Sequence, residues 1–95
     1  MTYDVVLTST AEADLRRLDS AVARRVIEKL QWLADNVETI RLETLTGSWL
    51  GVCKLRIGHY RVLYTREATR RRIVVHFVRH RRDVYKKPGS GGRSE

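Results

Sequence analysis

The chain begins with an alternating pattern of apolar residues and then changes to a helical one. Tyr3, Val5 and Leu7 occupy every second position, which predicts a short strand with one apolar face. Residues 9–12 fit a capping box, in which a hydroxyl and a carboxylate satisfy the free amides at the start of a helix. Ser9 is therefore expected to cap a first helix, whose apolar residues recur at i, i+4 and i+7.

A second helix is predicted after a short break, because Asp19 or Ser20 can cap it. Its apolar residues recur with helical spacing and are Val22, Val26, Leu30 and Leu33. Near its end, Trp32 is interpreted as a packing residue. Two consecutive amphipathic helices separated by a short break predict a helical hairpin.

The helical period is lost after residue 36, and the rest of the chain has the pattern of strands. Strands are predicted in four places, at residues 42–45, 52–57, 60–65 and 73–77. Gly58 and His59 form the predicted turn between the second and third of these strands. Since the connections are short, antiparallel pairing is favoured.

This order of elements predicts an α+β domain in which an N-terminal strand and a helical hairpin pack on an antiparallel β-sheet. The first strand must join the same sheet because its apolar face has to be buried. Residues 1–87 are assigned to this single domain. Residues 88–95 have the composition of a linker and are expected to form a disordered tail.

Composition changes this picture mainly through charge. With 95 residues, the chain can form one small domain that buries roughly 60–65% of the surface exposed by its unfolded chain. Its formal net charge is +8. Residues 1–50 contain six Lys and Arg against eight Asp and Glu, whereas residues 51–95 contain thirteen against three, a net of +10. Such clustering favours a polyanion such as nucleic acid over a merely solubilising surface, because binding releases condensed counterions.

Several classes of protein are excluded by what the sequence lacks. One cysteine, Cys53, rules out an internal disulfide framework and a cysteine-rich zinc module, and the three histidines show no metal-ligand spacing. There is no P-loop, dinucleotide-binding glycine motif or nucleophile elbow. No apolar run approaches the ~20 residues of a membrane helix, and the N-terminus has no basic leader region. We therefore expect a cytoplasmic protein without a metal or cofactor.

Basic residues on the predicted strands form the candidate chemical site. Lys54 and Arg56 are two residues apart and so share one face of a strand. Arg61 lies in an apolar strand, where it is costly unless it reaches solvent or a phosphate, and only two acids occur between residues 44 and 94. A further segment leaves the last strand and contains Arg79, His80, Arg81, Arg82 and Tyr85. Such side chains suffice for metal-free RNA cleavage, in which the 2′-hydroxyl is oriented, its proton is moved and the phosphorane is neutralised.

These segments resemble the RelE/ParE toxin superfamily. The resemblance runs over residues 3–86, and its most specific part is Leu-Arg-Ile-Gly-x-Tyr-Arg-Val-x-Tyr at residues 55–64. It implies a toxin of a type II toxin–antitoxin pair, with a RelE-like fold in which a helical hairpin lies against an antiparallel sheet. It also implies a cognate antitoxin protein, expected to be acidic, that wraps the toxin and can form a hetero-oligomer with it.

Two activities occur in this superfamily. RelE-like members cleave mRNA in the ribosomal A site without metal, leaving a 2′,3′-cyclic phosphate and a 5′-hydroxyl, whereas ParE-like members poison DNA gyrase. The resemblance favours the RelE-like branch. The catalytic residues that it implies are Lys54, Arg61, Arg81 and Tyr85, with Arg79 in place of Arg81 if the alignment slips. The RNA-binding residues expected around them are Arg56, Arg79, His80, Arg82 and Lys86.

The implied roles follow the chemistry of each side chain. Lys54 would accept a proton or stabilise charge, Arg61 and Arg81 would stabilise the transition state, and Tyr85 would orient or stack on the RNA. Some RelE-like enzymes carry a Lys-x-Lys pair, but the first position here is Val52. One candidate base is therefore missing, and His80 could act as an acid instead. A ParE-like gyrase inhibitor, or a catalytically weak homologue that acts through its antitoxin, is the alternative.

Overall fold

Two helices and five strands follow one another in the computed structural model, which describes residues 2–83. The helices are α1 (Ser9–Arg16) and α2 (Ser20–Asn36). The strands are β1 (Asp4–Leu7), β2 (Glu43–Thr44), β3 (Cys53–Ile57), β4 (Tyr60–Glu67) and β5 (Arg72–His80). A short 3-10 helix at Gly47–Trp49 lies between β2 and β3. The predicted α+β class is confirmed, and the predicted tail at 88–95 lies outside the described residues.

The five strands form one sheet in the order β1-β5-β4-β3-β2. Strands β2 to β5 pair in antiparallel fashion as predicted, but β1 pairs with β5 in parallel, from Asp4 opposite Arg72 to Leu7 opposite Val75. The sheet is therefore mixed, and the prediction of a wholly antiparallel sheet is wrong for β1. Short turns between consecutive strands impose antiparallel pairing on the later strands. Strands β1 and β5 are far apart in sequence, so no tight turn constrains their relative direction.

The helices cover one face of the sheet, and the core lies between them. Val26, Leu30 and Leu33 of α2 are buried as predicted, whereas Leu15 and Leu18, at and beyond the end of α1, are partly buried at its border. The sheet meets them with Val62 and Tyr64 of β4 and with Val75 and Val78 of β5. A β-bulge shifts the register between Val75 and Val78, so both face the core although they are three residues apart. Residues that alternate with these positions, such as Arg61 and Leu63, point to the opposite face, which the helices leave open.

Trp32 does not belong to this core. Its side chain is 42% exposed, and the Nζ of Lys29 lies 4.0 Å from the centroid of its ring. The prediction that Trp32 is a packing residue is therefore wrong. Its neighbour Leu33 takes the buried position instead, because adjacent residues of a helix point in directions about 100° apart.

Each helix begins at a capping residue, and the cap of α1 also connects the hairpin to the sheet. Thr8, and not the predicted Ser9, caps α1: its Oγ1 accepts a hydrogen bond from the Ala11 amide (3.1 Å) and donates to the His76 carbonyl of β5 (3.3 Å). Asp19 caps α2, as predicted, by accepting from the Ala21 amide. Helix α1 thus runs along the edge of β5 beyond the end of β1. Within residues 2–83, no helix has the length and hydrophobicity needed to cross a membrane.

Candidate nucleic-acid interface

Three arginines lie in register across three adjacent strands of the open face. Arg56 of β3 is directly opposite Arg61 of β4, and Arg61 is directly opposite Arg79 of β5. Their sequence neighbours Leu55, Val62 and Val78 contribute to the core, so the three arginines project from the other face. Because neighbouring strands are about 4.8 Å apart, the backbone positions of this arginine row span roughly 10 Å.

Arg61 in the centre of the row is satisfied by main-chain oxygens. Its Nη1 donates to the carbonyls of Gly58 and Tyr60, both at 3.0 Å. Gly58 begins the β3–β4 turn with a φ of +58°, a conformation that favours glycine. The sequence argument inferred a missing anionic partner for Arg61, and the hydrogen-bond partners that the structure gives it are neutral carbonyls. Carbonyls carry no net charge, so these hydrogen bonds orient the Arg61 guanidinium without neutralising it.

Lys54 and Arg56 meet a carboxylate that the sequence argument missed. Glu43 of β2 is directly opposite Lys54, and its Oε2 lies 3.1 Å from the Lys54 Nζ and 3.7 Å from an Nη of Arg56. The hydrogen bond from Lys54 is the main cause that lowers the pKa of Glu43. Burial opposes it, and the charges of Lys54, Arg56 and Arg61 each lower the pKa by a smaller amount. The predicted strand at 42–45, paired with the strand at 52–57, was the signal that could have located Glu43.

Arg79 at the other end of the row also has an acidic partner. Its Nε donates to the Oδ2 of Asp14 in α1 at 3.1 Å, and its guanidinium carbon lies 4.7 Å from the centroid of the Phe77 ring. Asp14 is 4% exposed and was not predicted as a site residue. Its position on α1 gave no such signal, because the edge of β5 that it reaches is 64 residues further along the chain.

An aromatic patch borders the arginine row. The 3-10 helix places Trp49 edge-on against Phe77, with ring centroids 6.0 Å apart and an angle of 83°. Leu63, which is directly opposite Phe77 on the same face, is fully buried. The open face therefore combines arginines with aromatic rings, and these are the two kinds of side chain that bind the phosphates and bases of single-stranded nucleic acid.

The predicted basic segment is divided between the two faces of the sheet. His80 is directly opposite Tyr60, so it lies on the face of the helices, away from Arg61. Its ring stacks on His59 (centroids 6.1 Å apart), meets Tyr60 edge-on, and accepts a hydrogen bond at Nδ1 from the Arg82 amide. This placement separates His80 from Lys54 and the arginine row, with which the sequence argument had grouped it.

The remaining predicted site residues follow β5. Arg81 and Arg82 are exposed, and the Arg81 amide donates to the His59 carbonyl at 2.8 Å. Tyr85 and Lys86 lie outside the described residues. The structure thus places Lys54, Arg56, Arg61 and Arg79 on one face. Arg81 lies beside the end of that face, and the role of each residue stays a prediction.

Cys53 lies in the core beneath this face. It is 5% exposed and is directly opposite Tyr64 of β4. Burial raises the pKa of the Cys53 thiol and also that of the Tyr64 hydroxyl. Cys53 is therefore a packing residue and not a nucleophile. Among residues 2–83, no group of three or more histidine, cysteine or acidic side chains is arranged to hold a metal ion.

Comparison with known proteins identifies the family. Residues 5–85 match the model of the ParE toxin of the type II toxin–antitoxin system parDE. The chain belongs to this toxin family. Among curated proteins, none matches the toxin significantly.

Solved structures of similar fold include toxins bound to antitoxins. The toxin–antitoxin complex RelBE2 from Mycobacterium tuberculosis is 27% identical, with a TM-score of 0.76, and the match covers 84% of this toxin and 99% of that chain. The archaeal RelE–RelB complex from Pyrococcus horikoshii OT3 is also 27% identical, with a TM-score of 0.65 and coverages of 85% and 97%. A mutant of the E. coli toxin RelE in the free state, at 22% identity, a TM-score of 0.71 and 84% coverage of both chains, shows the same fold.

Proposed function

We propose that this toxin is a ribosome-dependent mRNA endonuclease that uses the RNA 2′-hydroxyl as its nucleophile and needs no metal. The arginine row, with Lys54 beside it on the same face, is the observation that carries the proposal. The net charge of +10 on residues 51–95 supports it, because the strands of the open face and the segment after β5 belong to this half of the chain. The neighbouring Trp49 and Phe77 rings suit a single-stranded substrate.

The chemistry is a transesterification that is balanced without a further reactant. The 2′-oxygen attacks the adjacent phosphorus, so the O2′–P bond forms while the P–O5′ bond breaks. A base accepts the proton of the 2′-hydroxyl, and an acid returns a proton to the leaving 5′-oxygen. The products are a 2′,3′-cyclic phosphate and a 5′-hydroxyl. DNA lacks the 2′-hydroxyl and would not react.

The residues divide this work according to their surroundings. Arg61 and the second arginine, Arg79 or Arg81, stabilise the negative charge that develops on the phosphorane. Lys54 is held by Glu43 at 3.1 Å, which suits charge stabilisation. Lys54 lowers the pKa of the Glu43 carboxyl, which makes Glu43 a weaker proton acceptor, so its role here is to hold Lys54 in place.

Other residues would bind the RNA around this centre. Arg56, Arg82 and Lys86 would contact phosphates, and Tyr85 would orient or stack on the substrate. Because His80 lies on the face of the helices, we assign it to RNA or ribosome binding there and not to proton transfer at the arginine row.

The open face, which carries the arginine row, is also proposed to be the surface that an antitoxin neutralises. The complexes from M. tuberculosis and P. horikoshii contain toxin and antitoxin together, and the uncompensated positive charge favours an acidic partner. A cognate antitoxin that covers Arg56 and Arg61 would prevent access of RNA and would form a hetero-oligomer with the toxin.

The test is primer extension on a translated mRNA after the toxin is induced in cells. Wild-type toxin should give new 5′ ends within codons, and Arg61→Ala should remove them. Arg70→Ala is the matched control, since Arg70 is exposed in the β4–β5 turn at the far end of β4 from the β3–β4 turn. Intact mRNA with the wild-type toxin would refute the proposal.

A DNA gyrase inhibitor of the ParE kind is the second candidate. The family model bears the name of ParE, and Val52 occupies the position where some RelE-like enzymes have another lysine. The same induced cells distinguish the two activities if gyrase–DNA complexes are trapped and quantified. Accumulating DNA breaks together with intact mRNA would establish this second candidate, whereas cleaved mRNA without DNA breaks would exclude it.

A further inference from the structure

We propose that Asp14 of helix α1 is a positioning residue for the RNA site, because it fixes the guanidinium of Arg79 in the orientation that meets a phosphate. The inference rests on the proposed RNA-cleaving function of the open face. It gives the helical hairpin a part in a site that otherwise consists of residues of the sheet.

Asp14 is a buried carboxylate, and one of its oxygens accepts two hydrogen bonds. Its Oδ2 accepts from the Val78 amide at 3.0 Å and from the Arg79 Nε at 3.1 Å, and its side chain is 3% exposed. Its other oxygen lies 3.7 Å from an Nη of Arg17, whose side chain is 77% exposed. A buried carboxylate is costly unless it is paired and hydrogen-bonded. For Asp14, the Val78 amide supplies a hydrogen bond, and Arg79 supplies both a hydrogen bond and the positive charge that compensates the carboxylate.

The contact restricts Arg79 while leaving most of its donors available. A guanidinium has five N–H donors, and the bond to Asp14 uses the one on Nε. The group is held from a second direction because its central carbon lies 4.7 Å from the centroid of the Phe77 ring. Nη1 and Nη2 can therefore donate to a phosphate from a side chain whose rotamer is already fixed. Less conformational entropy is then lost on binding.

Asp14 also separates Arg79 from Arg61. The two arginines leave directly opposite backbone positions, where like charges repel. Arg61 is tied to carbonyls of the β3–β4 turn, whereas Arg79 is tied to α1 at the free edge of β5. The two guanidiniums are thus drawn to different anchors.

The inference is tested by a double-mutant cycle of Asp14→Asn with Arg79→Ala. Asparagine keeps an oxygen acceptor for the Val78 amide but removes the charge that holds Arg79. Two activities are measured for each variant: cleavage of translated mRNA in a reconstituted ribosome system, and affinity for a 2′-O-methyl RNA oligonucleotide, which cannot be cleaved. Thermal unfolding of each variant is followed alongside.

Asp14→Asn should lower both the cleavage efficiency and the affinity by about tenfold, and this effect should disappear in the Arg79→Ala background. It should persist in an Arg70→Ala background, which is the matched control because Arg70 is exposed in the β4–β5 turn. The inference is overturned if the effects of Asp14→Asn and Arg79→Ala multiply as for independent sites, or if lost activity merely follows lost stability. A further outcome is that the oligonucleotide affinities show the expected coupling between Asp14 and Arg79 while the wild-type toxin leaves mRNA intact. That outcome would refute the nuclease proposal and support the positioning role.

A measurement on the wild-type toxin covers the case in which Asp14→Asn does not fold. The Nε–H signal of Arg79 in an NMR spectrum should exchange slowly with solvent, and it should shift when the 2′-O-methyl oligonucleotide is added. If the Arg79 Nε–H exchanged with solvent as rapidly as the Nε–H of the exposed Arg70, the inference would be overturned without the use of a variant.

Discussion

At the scale of single residues, arginines in equivalent positions of the sheet are satisfied in different ways. Arg61 donates to two carbonyls, whereas Arg79 donates to a buried carboxylate. Hydrogen bonds to carbonyls orient a guanidinium without neutralising it, and an ion pair does both. Arg61 therefore retains the stronger attraction for an incoming phosphate, and the geometry of its guanidinium matters as much as its charge.

Arg61→Lys tests that geometry, because lysine keeps the charge but lacks the planar fork of donors. We expect mRNA cleavage to fall by about tenfold or more, since a bidentate contact to phosphate is lost. The free energy of unfolding from urea titration should change by less than about 1 kcal/mol. Arg56→Lys is the control in the same row: its side chain is 63% exposed, so cleavage should change little. Equal losses in the two variants would contradict a special role for Arg61.

His76 gives stability a dependence on pH. Burial lowers its pKa below the ordinary value of 6.5, although the charge of Glu67 opposes this, and its Nε2 lies 3.0 Å from the Thr65 Oγ1. The unfolded chain then takes up a proton at higher pH than the folded protein. The contribution to stability is therefore complete above pH 6.5 and is lost as the pH falls below it. Chemical unfolding between pH 7 and 5 should show this decline, and His76→Asn should flatten it. His59→Asn, at an exposed turn position, should leave the slope unchanged.

At the scale of elements, local patterns predicted most of what neighbouring residues decide, apart from the α1 cap at Thr8 and the exposure of Trp32, and missed what distant residues decide. The stripe of α2, the Asp19 cap and the Gly58 turn depend on residues close in sequence, and all three are present. The parallel pairing of β1 with β5 and the contact of Asp14 with Arg79 depend on chain segments more than 60 residues apart. Glu43 was missed for a related reason, because only its pairing with Lys54 brings it to the arginine row.

The core of the α2–sheet layer provides a test at this scale. Leu30 is 2% exposed, so Leu30→Ala should lower the free energy of unfolding by about 2–5 kcal/mol through lost burial and the cavity left behind. Ile27 lies on the same helix and is 45% exposed, so Ile27→Ala should cost less than about 1 kcal/mol. Urea unfolding of both variants makes the comparison. Equal costs would mean that α2 does not pack on the sheet through its predicted stripe.

At the scale of the whole molecule, charge and architecture divide the protein in the same way. Residues 1–50, which include the helical hairpin, carry a slight negative charge, and residues 51–95 carry the excess of positive charge. The hairpin covers one face of the sheet, so Lys54 and the arginine row remain on the other, whereas Arg66 of β4 lies on the face of the helices and donates to the Tyr3 hydroxyl. Two acids from residues 1–50 are exceptions to this division, because they form ion pairs with the outer members of the arginine row. Asp14 pairs with Arg79, and Glu43 pairs with Arg56.

The effect of Glu43 on this charged face can be measured with Glu43→Gln. Glutamine releases Lys54 and Arg56 from their shared carboxylate, so both can contact phosphates of a 2′-O-methyl RNA oligonucleotide. Affinity by fluorescence anisotropy should rise, and the slope of log Kobs against log salt should become more negative by about 0.7 for each added phosphate contact. Asp35→Asn removes the same charge from an exposed position on α2, away from the open face. It should raise affinity less and leave the slope unchanged. If both variants behave alike, net charge and not the pairing at Glu43 governs the attraction of this surface for RNA.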